Sequence, residues 1–233
     1  MLVARDAVLA SGLYAPIADA VAEAASPALH GPSAALIDLG SGTGHYSGVV
    51  AAHARSRPRM LMADRSPAAV RWSMLAERGS DGVVLDTWAP LPIRDAVADV
   101  VLDVFAPRNP PEFARILRPG GRLIVVVPRP EHLRELRTGG RMLDVPGGKA
   151  TAVLEQFSGL LHALEPRHIH AIVRPTPAQA AALHDMGPSA HHGSPEDGHS
   201  GADDTNGTDH ANGTARTVDG ITVSVDVLTF VAR

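Results

Sequence analysis

The segment ALIDLGSGTGHYSGVV, residues 35–50, passes from an apolar run into a turn that contains three glycines. The run predicts a buried β-strand, and the residues from His45 onward predict the helix that follows it. Gly40, Gly42 and Gly44 can adopt positive φ or let a ligand approach the backbone, and a helix N-terminus offers free N–H groups. The segment therefore predicts a nucleotide-binding turn between a strand and a helix.

The spacing of these glycines narrows the class of ligand. The dinucleotide fingerprint G-x-G-x-x-G needs a third glycine where this chain has His45, and a phosphate loop needs a Gly-Lys pair that is missing near the turn. The segment DLGSGTG, which begins at Asp38, instead resembles the first motif of class I methyltransferases that use S-adenosylmethionine. This resemblance implies a cofactor site at Asp38 and the three glycines. NAD stays open as an alternative ligand.

Two further acidic residues lie at the ends of the next predicted strands. Asp64 ends the run RMLMAD, 20 residues beyond Gly44, where a carboxylate can accept both hydrogen bonds of a ribose diol. Asp86 ends the run GVVLD, where the methyltransferase family places a residue near the adenine amino group. The glycine turn and the two acids, in this order, predict a nucleoside-binding site.

The rest of the chain alternates short β-like runs with helical ones. Predicted strands lie at 34–39, 59–64, 82–86, 98–105, 121–128, 167–175 and 221–232. Predicted helices lie at 14–25, 45–55, 67–78, 110–117, 130–138, 149–157 and 176–186. This alternation predicts a Rossmann-like α/β fold, with a mostly parallel seven-stranded sheet and helices on both faces. The last strand follows a long loop instead of a crossover helix, so we expect it to be antiparallel.

Length and composition favour a single domain over residues 1–233, with a helical N-terminal cap at residues 1–30. The chain has 233 residues, 45% of them hydrophobic, which is enough for a substantial core. Because it contains no cysteine, we expect neither disulfides nor cysteine-bound zinc. Neither a signal-peptide pattern nor an apolar run of membrane-spanning length occurs, which predicts a cytoplasmic protein.

Charge is unevenly distributed along the chain, whose formal net charge is −4. Residues 193–220 hold six acidic residues and one arginine, with few large apolar groups, and predict a disordered acidic loop before the last strand. Residues 108–149 hold nine basic and four acidic residues, a local charge of +5. That basic region predicts contact with an anionic partner such as RNA, or else an arginine-rich surface exposed to solvent.

Longer stretches resemble one family, the bacterial 23S ribosomal RNA (guanine-N1)-methyltransferases, which include macrolide-resistance enzymes. The similar stretches are ARDAVLASGLYAPIADAV, DTWAPLPI, VFAPRNPPEFARILRPGGRLIVVVPRPEHLREL and MGPSAHH. The resemblance implies S-adenosylmethionine as methyl donor and guanine N1 of 23S ribosomal RNA as acceptor. Two departures bear on the RNA target: the cysteine-built zinc module with which the family normally begins is missing, and Leu13 stands where histidine is common before the tyrosine.

The resemblance also implies roles for individual side chains. Asp103, at the end of the fourth predicted strand, is the candidate base for the proton that guanine N1 carries at neutral pH, or else a structural carboxylate at a strand end. Phe105 is expected either to stack on a flat acceptor or to pack on the sheet. The other candidates form a cofactor group and a substrate group. The cofactor group is Tyr14, Pro16, His45, Arg65, Thr87 and Trp88, and the substrate group is Pro107, Arg108 and Asn109.

Three functions remain open on these features. The first is methylation of guanine N1 in 23S ribosomal RNA, linked to macrolide resistance. The second keeps S-adenosylmethionine as donor but methylates a small molecule such as an antibiotic intermediate, which the missing zinc module and the modest basic charge favour. The third is a non-catalytic domain that binds the cofactor as a regulator, and the acids at the strand ends argue against it.

Overall fold

An eight-stranded sheet forms the centre of the structure, a computed structural model that describes residues 1–31, 33–137, 145–186 and 220–233. Its strands are β1 (Ala35–Leu39), β2 (Arg59–Asp64), β3 (Asp81–Val84), β4 (Ala98–Val104), β5 (Leu117–Pro128), β6 (His162–Ala163), β7 (Arg167–Val173) and β8 (Ile221–Val231). The order across the sheet is β3-β2-β1-β4-β5-β8, and both β6 and β7 pair with β8. Strands β1 to β5 are parallel, whereas β8 is antiparallel to β5.

Helices cover both faces of this sheet. They are α1 (Leu2–Ala10), α2 (Ala15–Ala25), α3 (His45–His53), α4 (Pro67–Ala76), α5 (Pro110–Ile116), α6 (Arg134–Arg137), α7 (Lys149–Gln156) and α8 (Pro177–Asp185). Successive strand residues point to opposite faces, so Leu36 lies in one apolar cluster and Ile37 in another. The cluster around Leu36 contains residues of α1, α2 and α3, and the cluster around Ile37 contains residues of α5 and α7. The fold is therefore a layered α/β structure with a core on each side of the sheet.

The predicted fold class is confirmed, and each predicted strand and helix corresponds to an element of the structure. The structure differs from the prediction in the start of one strand and in two additional short elements. Strand β5 begins at Leu117, four residues earlier than expected, because Leu117 pairs with Ala98 before a register shift. The two-residue strand β6 was not predicted, and α1 forms within the stretch expected only to be a helical cap.

No helix forms between β3 and β4, so the alternation of strand and helix is interrupted there. Pro90 and Pro92 remove backbone N–H donors from this connection and disfavour a helix. Arg115 of α5 holds the loop instead, because its guanidinium donates hydrogen bonds to the carbonyl oxygens of Leu91 and Ile93 at 3.1 and 2.7 Å. The loop is therefore fixed by side-chain contacts, and it delivers the residues after Asp86 to the edge of the sheet.

Parts of two predictions lie outside the described residues. They are the acidic loop at 193–220, of which only Gly220 is described, and the end of the helix expected at 130–138. In the described ranges no single helix is long and apolar enough to cross a membrane. Only α1 taken together with residues Ala15–Ala28 meets the length and composition limits, and that pair is bent by 82°.

An aromatic cluster beneath the sheet gives a direct test of the core. Phe157 is fully buried, and its ring centroid lies 6.3 Å from that of Phe113 and 4.9 Å from that of Phe230. We expect Phe157→Ala to lower the free energy of unfolding by about 3–5 kcal/mol, since it leaves a cavity between two elements. Leu160→Ala, at a more exposed neighbouring site, should cost much less. Chemical denaturation measures both, and equal losses would contradict the packing described.

Candidate active site

Two adjoining cavities open at the carboxyl ends of β1, β2 and β4. The larger has a volume of about 480 Å³ and the smaller about 200 Å³. Arg5, Gly40, Phe105 and Ala106 line both cavities. The carboxyl edge of a parallel sheet is where α/β proteins bind their ligands, so these cavities are the candidate site.

The glycine turn forms the ridge between the two cavities. The N–H groups of Gly40 and Ser41 both donate to the carbonyl oxygen of Ala63, at 2.7 and 2.9 Å, which ties the turn to the end of β2. Gly40 has φ +87°, and a β-carbon built there would lie 2.5 Å from the β-carbon of Ala106. The turn therefore requires glycine for its backbone conformation and for its close approach to the loop after β4.

Besides Gly40, five of the predicted cofactor residues line the smaller cavity. Its walls include Asp64, Arg65, Asp86, Thr87 and Trp88. The Asp64 carboxylate accepts hydrogen bonds from the N–H groups of Gly42 at 3.0 Å and Ser66 at 2.8 Å, so its position is fixed. Asp86 accepts the N–H of Trp88 at 3.0 Å, and this turn leaves the indole 69% exposed at the cavity. Two carboxylates and a flat aromatic ring around 200 Å³ suit a nucleoside.

The polar end of the larger cavity carries buried groups without a hydrogen-bond partner among the described residues. Thr43 Oγ1, His45 Nε2 and Tyr46 Oη are buried there without a hydrogen bond to any described residue. Burial lowers the pKa of His45, so the ring is neutral at physiological pH. Buried polar atoms are normally satisfied, so this cluster fits a polar ligand group such as the amino-acid part of S-adenosylmethionine.

Arg5 of α1 lies above the glycine turn, and sequence reasoning missed it. A β-carbon built on Gly42 would lie 3.5 Å from an Arg5 guanidinium nitrogen, and Arg5 lines both cavities. Its guanidinium has no ion-pair partner among the described residues. Tyr46 was missed as well. The quoted stretch ARDAVLASGLYAPIADAV contains Arg5, but only the packing of α1 reveals that it faces the site.

Three rings form one wall of the larger cavity. Tyr14 is buried, and its hydroxyl oxygen lies 3.4 Å from His132 Nε2. Phe105 stacks on the same imidazole with ring centroids 5.8 Å apart. Phe105 also has φ +56°, in the left-handed region that non-glycine residues rarely adopt. His132 is the main side chain that sequence reasoning did not identify, although it lies in the quoted stretch VVVPRPEHLREL.

Five predicted site residues do not line either cavity: Asp38, Gly44, Asp103, Asn109 and Pro16. Gly44 caps α3, Pro16 occupies the first turn of α2, and the Asn109 amide donates to the carbonyl oxygens of Thr87 and Ala89 at 3.1 and 3.3 Å. These residues therefore shape the walls of the site from outside.

Asp38 lies beneath the glycine turn. It is 3% exposed, and its carboxyl oxygen accepts a hydrogen bond from the Ser47 hydroxyl at 2.6 Å. Burial raises the pKa of Asp38 to about 6, against the opposing effect of the Ser47 hydrogen bond. Asp38 thus joins the end of β1 to the first turn of α3.

Asp103 is completely buried on the side of β4 away from the larger cavity, which the next residue, Val104, does line. One carboxyl oxygen accepts the Ala106 N–H at 3.3 Å and lies 3.8 Å from an Arg108 nitrogen. The other oxygen has no partner among the described residues. Burial raises the pKa of Asp103 well above its usual range. In this conformation Asp103 holds the loop from Phe105 to Arg108.

Comparison with known proteins shows the family to which this chain belongs. No family model matches the chain. A 23S rRNA (guanine(748)-N(1))-methyltransferase from Streptomyces fradiae is 37% identical over 198 residues, which cover 84% of this chain and 70% of the relative. The chain belongs to the 23S rRNA (guanine-N1)-methyltransferase family. A second relative, described as a 23S rRNA (guanine-N(1)-)-methyltransferase, comes from Micromonospora griseorubida. It is 35% identical over 209 residues, which again cover 84% of this chain and 70% of the relative.

Solved structures support the fold of this methyltransferase. The methyltransferase in complex with the Trm112 activator from Haloferax volcanii superposes with a TM-score of 0.60 at 19% identity, over 98% of this chain and 93% of that one. At that identity the similarity establishes the fold alone. The family resemblance seen in the sequence is confirmed, and so is the methyltransferase class.

The close contact at Gly40 generates a test of the site. Gly40→Ala and Gly79→Ala each introduce a β-carbon at φ +87°, and each should cost about 1–2 kcal/mol of stability. Only the β-carbon at position 40 meets a neighbour within 4 Å. We expect Gly40→Ala to weaken binding of S-adenosylhomocysteine at least tenfold in calorimetry, and Gly79→Ala to leave it unchanged. Equal binding by the two variants would rule out the turn as a ligand site.

Asp38 generates a test of pH dependence. Its pKa is about 6 in the folded chain but about 4 when unfolded, so between pH 4 and 6 only the unfolded state loses the proton. The free energy of unfolding should therefore fall as the pH rises from 4 to 6, by roughly 3 kcal/mol, and be insensitive to Asp38 above that range. Asp38→Asn can still accept from Ser47 but cannot ionise.

Denaturation at intervals of one pH unit from 4 to 7 measures this difference. The asparagine variant should lack the decline, while the exposed-site control Asp19→Asn should follow the wild type. Parallel curves for wild type and Asp38→Asn would show that Asp38 does not titrate as described.

Proposed function

We propose that this methyltransferase transfers a methyl group from S-adenosylmethionine to N1 of a guanine in 23S ribosomal RNA. One observation carries the proposal: a nucleoside-sized cavity and a larger, aromatic-lined cavity meet over Gly40 and Phe105. A donor that lies across this ridge, with its nucleoside in the smaller cavity, would place its methyl group beside a flat acceptor in the larger cavity. Membership in the guanine-N1 family supplies the acceptor class.

The residues present fit the donor. Asp64 would accept the ribose hydroxyls, Asp86 and Thr87 would contact the adenine, and Trp88 would cover it. The buried polar atoms at the other end of the site would take the amino-acid group, with Arg5 beside its carboxylate. When bound, S-adenosylmethionine supplies an electrophilic methyl group on a positively charged sulfur. The protein contributes position and electrostatics.

The acceptor proton must leave before or during methyl transfer. Guanine N1 carries a hydrogen at neutral pH, and none of the described residues that line the larger cavity is Asp or Glu. We therefore propose that the N1 proton passes to solvent water that enters through the open cavity. Asp103 then serves to hold the loop from Phe105 to Arg108 in place. The N1 electron pair then forms the bond to the methyl carbon while the electrons of the broken bond stay on sulfur.

Cationic side chains at the larger cavity support an RNA acceptor. Arg108 and Lys149 line it, and lysine and arginine supply much of the affinity of proteins for nucleic-acid phosphates. Phe105, exposed by 41%, would stack on an unpaired base. We extend the proposal to action in the cytoplasm, where ribosomal RNA resides, and to a role in macrolide resistance.

Mass spectrometry of 23S ribosomal RNA from cells with and without the gene tests the acceptor. We expect one guanine to gain a methyl group at N1 only when the protein is present, and the same strain to tolerate more macrolide. An unchanged RNA digest would overturn the RNA proposal. Tritiated methyl transfer to small-molecule pools would then identify a small acceptor, and donor binding without any transfer would indicate a regulator.

Asp64 provides the test of donor binding. Asp64→Asn keeps the size of the side chain but places an amide nitrogen where a ribose hydroxyl needs an acceptor. We expect calorimetry to show S-adenosylhomocysteine binding at least 30-fold weaker than in the wild type, which is about 2 kcal/mol. The exposed-site variant Asp19→Asn should bind as the wild type does. If Asp64→Asn bound S-adenosylhomocysteine as tightly as the wild type, Asp64 would not be the residue that holds the ribose.

A further inference from the structure

His132 is held from three sides in the loop after β5. The backbone N–H of Ser224 in β8 donates to its Nδ1 at 3.2 Å, and its Nε2 lies 3.4 Å from the Tyr14 hydroxyl oxygen. Phe105 stacks on one face of the imidazole. Tyr14, Phe105 and His132 all line the larger cavity. A histidine fixed this firmly beside a cavity can orient a second group.

The contacts determine which ring nitrogen carries the proton. Burial, together with the charge of Arg137, lowers the pKa of His132 to about 4, so the ring is neutral at physiological pH. A neutral imidazole has one N–H and one acceptor nitrogen. Because Nδ1 accepts the Ser224 amide hydrogen, the ring proton sits on Nε2. Nε2 therefore donates to the oxygen of Tyr14.

This arrangement fixes the direction of the tyrosine hydroxyl hydrogen. Burial raises the pKa of Tyr14, so the phenol keeps its proton. The hydroxyl cannot donate to Nε2, which already carries a hydrogen, and no other acceptor for it exists among the described residues. Its hydrogen is therefore free to point into the larger cavity, where Tyr14 forms part of the wall.

We propose that the Tyr14 hydroxyl donates a hydrogen bond to the carbonyl oxygen O6 of the acceptor guanine and that His132 is the positioning residue that makes Tyr14 a donor. The inference rests on the proposed function. Loss of the N1 proton spreads negative charge over N1 and O6 of guanine. A preorganised donor at O6 stabilises that charge as it develops, in the manner of an oxyanion hole.

Tyr14→Phe tests the donor directly, with methyl transfer to 23S ribosomal RNA as the assay. We expect kcat to fall on the order of 100-fold, as when an oxyanion-hole donor is removed, while binding of S-adenosylhomocysteine changes less than threefold. Weaker cofactor binding equal to the loss of activity would place Tyr14 at the donor instead and overturn the proposal. So would an unchanged kcat.

Two substitutions of His132 separate its two hydrogen bonds. The asparagine oxygen stands the same number of bonds from the backbone as Nδ1, so His132→Asn keeps an acceptor for Ser224 but cannot reach Tyr14. The glutamine amide nitrogen stands at the level of Nε2, so His132→Gln keeps a donor to Tyr14 but leaves the Ser224 N–H unpaired. We expect the asparagine variant to be the more stable protein and the glutamine variant to have at least tenfold higher kcat.

A purely structural role predicts that activity follows stability, which is the opposite order and would overturn the proposal. The double variant Tyr14→Phe with His132→Asn should lose no more activity than Tyr14→Phe alone, because His132 affects the reaction only through the Tyr14 hydroxyl. Additive losses would show that His132 acts independently of Tyr14.

Nitrogen-15 NMR of the histidines supplies a readout that needs no substrate. The His132 ring should be neutral at pH 7 with its hydrogen on Nε2, and a hydrogen on Nδ1 would overturn the proposal. If the wild-type enzyme binds S-adenosylhomocysteine but methylates no guanine, the proposed function fails while the hydrogen-bond assignment can still be confirmed. If the wild type is active and Tyr14→Phe is equally active, only the present inference fails.

Discussion

The contact between Gly40 and Ala106 is the constraint on which the whole site depends. It brings the turn after β1 against the loop after β4, and a β-carbon at position 40 would lie 2.5 Å from that of Ala106. The two N–H groups that donate to Ala63 hold the same turn to β2. Three strand ends are thereby joined at one point. The cavity on each side of this point exists because nothing larger than hydrogen occupies position 40.

The fold and the grouping of the residues around the smaller cavity could be predicted from sequence because their signals are local. A strand, a turn of three glycines and acids at the next strand ends lie in short stretches, and the structure gathers Asp64, Asp86 and Trp88 around one cavity. The chemistry of Asp38 and Asp103 could not be predicted in this way. Asp103 is turned away from the larger cavity by alternation along β4, whereas Asp38 is covered by the glycine turn and bonded to Ser47 of α3.

The acceptor half depends on contacts between residues far apart in the chain. Arg5 faces the site only because α1 packs over the glycine turn, and His132 acquires its role from Ser224, 92 residues later. No pattern in the neighbourhood of either residue carries that information. The interrupted alternation after β3 has a local cause in two prolines, but the loop takes its shape from Arg115, which lies beyond β4.

Strand β8 joins parts of the site that lie far apart in the chain. Its partners β5, β6 and β7 all precede it in the chain, and among the described strands β7 pairs with β8 alone. The glycine turn and its contacts to β2 and β4 close within residues 35–106, whereas the Ser224 amide that orients His132 arrives only with β8. A chain still lacking that strand could form its nucleotide turn but not its tyrosine donor. The contacts that shape the glycine turn and the contact that orients the tyrosine therefore come from opposite ends of the chain.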